Sequence, residues 1–285
     1  MSNFFRPAVI LFLAFFVLIG IPLVGPAHAQ TQQPAQSSLA LALRVPEDVA
    51  APPADAIKSK SGLATKVVQA GTGTERPSPF DRVVVNYTGW TPDGKMFDST
   101  YARGKPSTLP MTGILPGWTE GLQLMVVGEK RRMWIPEKLA FKGASGMPKG
   151  MVVFDVALID IIAGPRTPPD VAEPPVDAMK SGSGLCWKVL KEGTGKEHPG
   201  PSSAVIVNYS GWTADGKMFD SSVSRGKPAE LRLNQVIQGW TEGVQLMTAG
   251  EVRRFWIPQD LAYGGEAGKP VGMLVFDIEL ISFKR

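Results

Sequence analysis

Apolar and polar positions alternate with a period of two over much of this chain. Val83, Val85 and Tyr87 fall on one face of a strand, and residues 63–68 alternate more weakly. Asp93-Gly94 predicts a tight turn into residues 95–99, the commonest short-range hairpin signal. Residues 129–135 and 152–162 predict later strands, and the second is apolar nearly throughout, as a central strand should be. One segment breaks the alternation. In residues 114–125, Trp118, Leu122 and Met125 fall at i, i+4 and i+7, the stripe of a short helix. Gly117 and Gly121 weaken that helix by about 1 kcal/mol each relative to alanine, so packing must hold it. The concave face of the sheet is the natural partner, with the tryptophan covering it. The fold class predicted is α+β, a twisted antiparallel sheet wrapped around one short helix.

The pattern occurs twice. From Pro46 the chain matches itself at an offset of 122 with no insertion, and Trp240, Val244 and Met247 repeat the helical stripe. Of the twenty positions 81–100, fourteen are identical at 203–222. A unit of this size is a whole domain rather than a solenoid repeat. The predicted organisation is residues 1–29 as an export signal, 30–45 as a flexible lead-in and 46–163 as domain 1. Residues 164–183 are then a Pro-rich linker and lead-in, and 184–285 domain 2. Pro165, Pro168, Pro169, Pro174 and Pro175 make the junction stiff and extended, which should keep the two cores separate.

Residues 8–25 are a long apolar run preceded by Arg6 and followed by Ala27-His28-Ala29, a small-x-small cleavage box. Pro22 and Gly25 favour cleavage, hence a periplasmic protein. The alternative is a retained anchor in the inner membrane with the domains facing the periplasm, because 18 apolar residues are just enough to span a bilayer. Only in that case is a membrane a partner.

Composition then removes whole classes of function. A formal charge of +4 on 285 residues, with no basic run interleaved with aromatics, argues against nucleic acid. Cys186 is the sole cysteine, so no internal disulfide exists; its alternating apolar surroundings make it a buried strand residue. The two histidines are His28, in the signal, and His198, in a turn-like stretch. A Ser/His/Asp or Cys/His arrangement cannot therefore occur in each domain, and zinc sites built on these residues fail for the same reason. No metal or cofactor is expected. Gly71-Thr72-Gly73 and Gly193-Thr194-Gly195 lack the GK[ST] of a phosphate loop and read as turns. What remains is an aromatic pocket holding one carboxylate. Asp98 and Asp220 each follow a phenylalanine and precede an arginine by five residues, either a structural pair closing a loop or an acceptor at the pocket rim.

Both repeats closely resemble the FK506-binding-protein family of peptidyl-prolyl cis-trans isomerases. The marks are VNYTGWTPDGKMFDST, ILPGWTEGLQLMVVGEKRRMWIP and VVFDVAL in repeat one. In repeat two they are VNYSGWTADGKMFDSS, VIQGWTEGVQLMTAGEVRRFWIP, LAYGG and LVFDIEL. The resemblance implies two FKBP-like domains, each with a proline-binding pocket between sheet and helix. It places the pocket tyrosine at Tyr87 and Tyr209, the Phe-Asp pair at Phe97-Asp98 and Phe219-Asp220, and the arginine at Arg103 and Arg225. The backbone-donating pair falls on Ile114-Leu115 and Val236-Ile237, the floor tryptophan on Trp118 and Trp240. The closing-strand phenylalanine is Phe154 or Phe276, and the later Ala-Tyr is Ala262-Tyr263.

Repeat one departs from this pattern by carrying Phe141 where the family tyrosine stands, losing one hydroxyl donor. Ser107 and Ala229 replace a second wall aromatic, and the loops 141–154 and 263–276 are short compared with the apolar-tipped loop of small cytosolic members. Repeat two is accordingly expected to be the better isomerase. The implied function is isomerisation of X–Pro bonds in exported proteins, assisting their folding, with Pro-containing or unfolded segments as partners and a macrolide as a further pocket ligand. The alternative is a non-catalytic periplasmic chaperone or scaffold that binds such segments.

Overall fold

The computed structural model describes residues 39–284. The expected signal and residues 30–38 of the expected lead-in lie outside the described residues. Among those described, no helix is long and apolar enough to cross a membrane.

Each repeat builds one seven-stranded, wholly antiparallel sheet. In repeat one the strands are β1 (Ile57–Lys58), β2 (Ala64–Gln69), β3 (Arg82–Trp90), β4 (Met96–Ser99), β5 (Ser107–Pro110), β6 (Lys130–Ile135) and β7 (Val152–Ile162). Their order is β1-β2-β6-β7-β3-β4, and β5 pairs with the first half of β3 where β4 pairs with the second. The apolar strand β7 lies between β6 and β3, the central place its composition predicted. Repeat two follows with β8 (Met179–Lys180), β9 (Cys186–Lys191), β10 (Ala204–Thr213), β11 (Met218–Ser221), β12 (Ala229–Arg232), β13 (Val252–Ile257) and β14 (Leu274–Lys284), in the same arrangement. The Asp93-Gly94 hairpin differs in detail from a two-residue loop. Gly94 N–H donates to Thr91 O, so Pro92 and Asp93 are the central residues and Gly94, at φ +84°, follows them.

The helix expected over residues 114–125 is shorter, Pro116–Leu122, with its mate at Gln238–Val244. Met125 stays in the core beyond its end. Its glycines serve close approach. A Cβ at Gly121 would lie 2.5 Å from Met133 Sδ, and one at Gly117 would overlap Ile135. The helix thus lies directly on β6, and the propensity it gives up is offset by packing of Trp118 and Leu122 against Phe154, Val156 and Ile135 in one core cluster. Repeat two has an equivalent, separate cluster around Trp240, Phe255 and Phe276, and adds a one-turn helix, Ser222–Arg225, not expected from the sequence.

The opposite face of each sheet is covered too. Val49 packs with Trp90 and Trp134, and Val171 with Trp212 and Trp256. Trp134 Nε1–H donates to Asp48 O and Trp256 Nε1–H to Asp170 O, both at 2.9 Å. Arg132 grips Asp155 through two nitrogens at 2.6 and 2.9 Å and also reaches Asp48; Arg254 repeats this with Asp277 and Asp170. Of the expected linker 164–183, the part from Asp170 onward is therefore folded lead-in, and Met179–Lys180 pairs with β9. The main cores stay separate, but the repeats touch: Phe80 of repeat one packs on the tryptophan cluster of repeat two.

Candidate functional site

Between each helix and the concave face of its sheet lies an open cavity, about 480 Å³ in repeat one and about 440 Å³ in repeat two. Trp118 and Trp240 form the floors. The rings around them meet edge to face: Trp118 lies 4.9 Å from Tyr87 and 5.1 Å from Phe154, Trp240 5.1 Å from Tyr209 and 5.3 Å from Phe276. Phe97 and Phe219 stand 5.4 and 5.5 Å from the same phenylalanines. Such stacking fixes each ring by its neighbours, leaving a rigid apolar wall. Gly89 and Gly211 make it possible, because a Cβ there would strike the Phe154 or Phe276 ring.

The carboxylate, arginine and tyrosine form one unit in each repeat. Tyr87 O–H donates to Asp98 Oδ2 at 2.6 Å, Arg103 Nη1 pairs with Asp98 Oδ1, and Arg103 Nη2 donates to Tyr87 Oη at 2.9 Å. In repeat two Tyr209 O–H donates to Asp220 Oδ2 at 2.5 Å, and Arg225 bridges Asp220 and the phenol oxygen in the same way. Both aspartates are partly exposed, 37% and 40%. Burial, helped by the neighbouring Asp220, pushes the Tyr209 phenol up to about 12, and the Tyr87 phenol rises for the same reasons. The loop-closing reading and the rim reading of the Asp–Arg pair thus describe one arrangement. Both carboxylate oxygens are engaged by the protein, and the pair points the tyrosine edge along the cavity wall.

Two donors at the cavity mouth are free. Leu115 and Ile237 are the N-caps of the floor helices, and among the described residues neither N–H donates to a protein acceptor. The Trp118 indole N–H is buried without a partner among the described residues. The Tyr263 hydroxyl also lines its cavity with no protein hydrogen bond among the described residues, and burial together with Asp220 and Glu266 raises its pKa. Phe141 takes its place in repeat one and turns its ring edge-on to Phe97 at 6.0 Å.

The structure brings Tyr87, Phe97, Asp98, Ile114, Leu115, Trp118, Phe141 and Phe154 to one cavity. It brings Tyr209, Phe219, Asp220, Val236, Ile237, Trp240, Tyr263 and Phe276 to the other. Arg103 and Arg225 stand behind their aspartates. Sequence reasoning missed Leu109 and Leu231, which line the walls two residues beyond Ser107 and Ala229. It read both loops as short and named no residue in them, whereas Met147 and Pro148 lie against the repeat-one cavity. The Met-Pro pair was the available signal. Repeat two has Lys269 instead, placed 5.5 Å over the Tyr263 ring, and contributes Glu266 to the cavity.

The model of the family described as FKBP-type peptidyl-prolyl cis-trans isomerase matches residues 73–159 and 195–281, together more than half of the chain. The chain is 47% identical over 112 residues to a macrophage infectivity potentiator of Trypanosoma cruzi, covering 38% of this chain and 57% of the relative. It is 43% identical over 128 residues to the FKBP-type peptidyl-prolyl cis-trans isomerase FkpA of Escherichia coli K12, covering 44% and 46%. With the outer membrane protein MIP of Legionella longbeachae it shares 48% identity over 107 residues, covering 36% and 46%. The chain thus spans about half the length of the curated relatives it matches.

Proposed function

Because the chain belongs to the FKBP-type peptidyl-prolyl cis-trans isomerase family, we propose that both cavities accelerate rotation about X–Pro bonds in exported polypeptides, repeat two the more strongly. The observation that carries this reading is the pairing, in one site, of a ring-walled cavity with an unengaged backbone N–H at its mouth.

The uncatalysed barrier is about 20 kcal/mol and comes from amide resonance. No bond need break. The twisted amide is less charge-separated than the planar one, so an apolar enclosure by Trp240, Tyr209, Phe219 and Phe276 favours it. The Ile237 N–H and the Tyr263 hydroxyl are placed to anchor peptide carbonyls. Fixed donors of this kind need no reorganisation as the amide twists. Asp220 and Arg225 hold the Tyr209 edge in place. Site 1 offers the same enclosure with Leu115 N–H but, at Phe141, no hydroxyl, which supports its lower rank.

The periplasm is the proposed location, supported by the sequence of residues 1–29 and by a relative named as an outer membrane protein. Pro-containing or unfolded segments are the proposed partners, and the apolar cavity volume is compatible with a macrolide.

Protease-free X–Pro isomerisation by the full chain tests the reading. Asp220→Ala should lower kcat/KM on the order of tenfold, and Asp98→Ala added to it should remove most of the remainder. Phe141→Tyr in the Asp220→Ala background should restore part of it. Unchanged binding of a Pro-containing peptide by a parent chain that gives no acceleration would replace the enzyme reading by the scaffold one.

A further inference from the structure

The repeats diverge where they touch. Repeat one carries Phe80, Asp81 and Arg82 at positions where repeat two has Ser202, Ser203 and Ala204. Phe80 packs on the Trp212–Trp256 cluster of repeat two. Arg82 lies against the Gly226 turn: a Cβ on Gly226 would stand 2.7 Å from Arg82 Cζ and 2.8 Å from its Nε. At the equivalent Gly104 of repeat one there is nothing within 4 Å. Ser224 stands in the same turn where repeat one has Ala102.

The connection enforces this contact. Gly164 N–H donates to Asp81 Oδ1 at 2.9 Å, and Thr167 O–H donates to Gly216 O at 2.9 Å. Only Pro165 and Arg166 separate these two anchors, one on each repeat. A tether this short holds the facing surfaces at high effective concentration.

The turn that Arg82 covers belongs to site 2. Gly226, at φ +73°, ends the helix Ser222–Arg225, and Arg225 bridges Asp220 and the Tyr209 phenol. We propose that Arg82, seated with Phe80, is a positioning residue for site 2, so that repeat one acts as a fixed buttress for the Arg225–Asp220–Tyr209 unit of its neighbour. Arg82 Nε is buried and has no hydrogen-bond partner among the described residues, so its contribution here is the planar face laid on the glycine rather than an ion pair. An unpartnered buried N–H is costly, so the contact persists because the tether and Phe80 enforce it. The effect on turnover rests on the isomerase reading above; the contact does not.

Hydrogen exchange of the full chain reads the contact without any assay of activity. In Arg82→Ala, amides in 222–227 should exchange on the order of tenfold faster, while the equivalent segment 100–105 keeps its rate as internal control. Because Arg82→Ala could disturb β3, a second variant inserts about six Gly/Ser residues between Pro165 and Arg166, leaving both folds untouched. It should loosen 222–227 in the same way. With Asp98→Ala silencing site 1, both variants should lower kcat/KM of site 2 by about tenfold at unchanged unfolding midpoints. If the parent gives no turnover, the affinity of site 2 for a Pro-containing peptide replaces that readout, and the isomerase reading falls on its own. Unchanged exchange at 222–227 in both variants overturns the inference. So does faster exchange with site-2 turnover, or affinity, unchanged.

Discussion

Tyr209 is the residue whose chemistry the fold alters most. Its O–H bond to Asp220 is worth having only while the phenol is neutral, and burial keeps it neutral up to about 12. In an unfolded chain a tyrosine ionises near 10, roughly the model-peptide value. The folded group binds its proton more tightly, so its contribution to stability is complete below about pH 10 and is lost as pH rises through about 12. The other three tyrosines, Tyr87, Tyr101 and Tyr263, are shifted in the same direction, mainly by burial. Phenolate absorbance of the native chain should therefore rise at higher pH than that of the chain in denaturant, with Tyr209→Phe removing the latest-titrating part. Superimposable native and denatured curves would contradict this account. The resemblance supplied the position of Tyr209; of its unit only the five-residue spacing of Asp220 and Arg225 was legible, because the third contact, Arg225 to the phenol oxygen, depends on strand pairing.

At the scale of the element, the floor helices carry the clearest prediction. By propensity alone, Gly117→Ala or Gly239→Ala should stabilise by about 1 kcal/mol. The structure reverses the sign, because each new methyl would overlap an isoleucine of the facing strand, Ile135 or Ile257. Overpacking of this kind costs about 1–3 kcal/mol, so both variants should unfold at lower denaturant than the parent. A rise in midpoint would mean that the helix floats above its sheet. The helix itself was visible in the stripe of Trp118, Leu122 and Met125. Its true end was not, because Met125 remains buried after the helix stops. In β3 the alternation of Val83, Val85 and Tyr87 announced the concave face, but nothing in it announced that Trp90 is covered from the other side. That cover comes from Val49, across a separation that no local period reaches.

For the whole molecule, Cys186 is a convenient reporter. It is the sole thiol of the chain, is buried, and belongs to the tryptophan cluster of repeat two against which Phe80 packs. Native-state labelling by a thiol reagent should be at least about a hundredfold slower than in the denatured chain, and should follow the unfolding transition of repeat two rather than that of repeat one. Labelling as fast in buffer as in denaturant would show that the cluster is not closed. Duplication was legible at once from the offset. The contact across the junction between the repeats was not, since it joins Phe80 to tryptophans more than a domain's length along the chain. Only its trace was in the sequence, at the positions where the copies disagree.

That disagreement fixes the order of the domains. Residues 80–82 of the first repeat bring a ring and a guanidinium to the second, whereas Ser202, Ser203 and Ala204 at the same places offer neither. A chain with the repeats transposed would keep both cores and both cavities, yet would bring a serine and an alanine to the junction where Phe80 and Arg82 now stand. The two copies are nearly the same text; read in the other order, they would no longer make the same sentence.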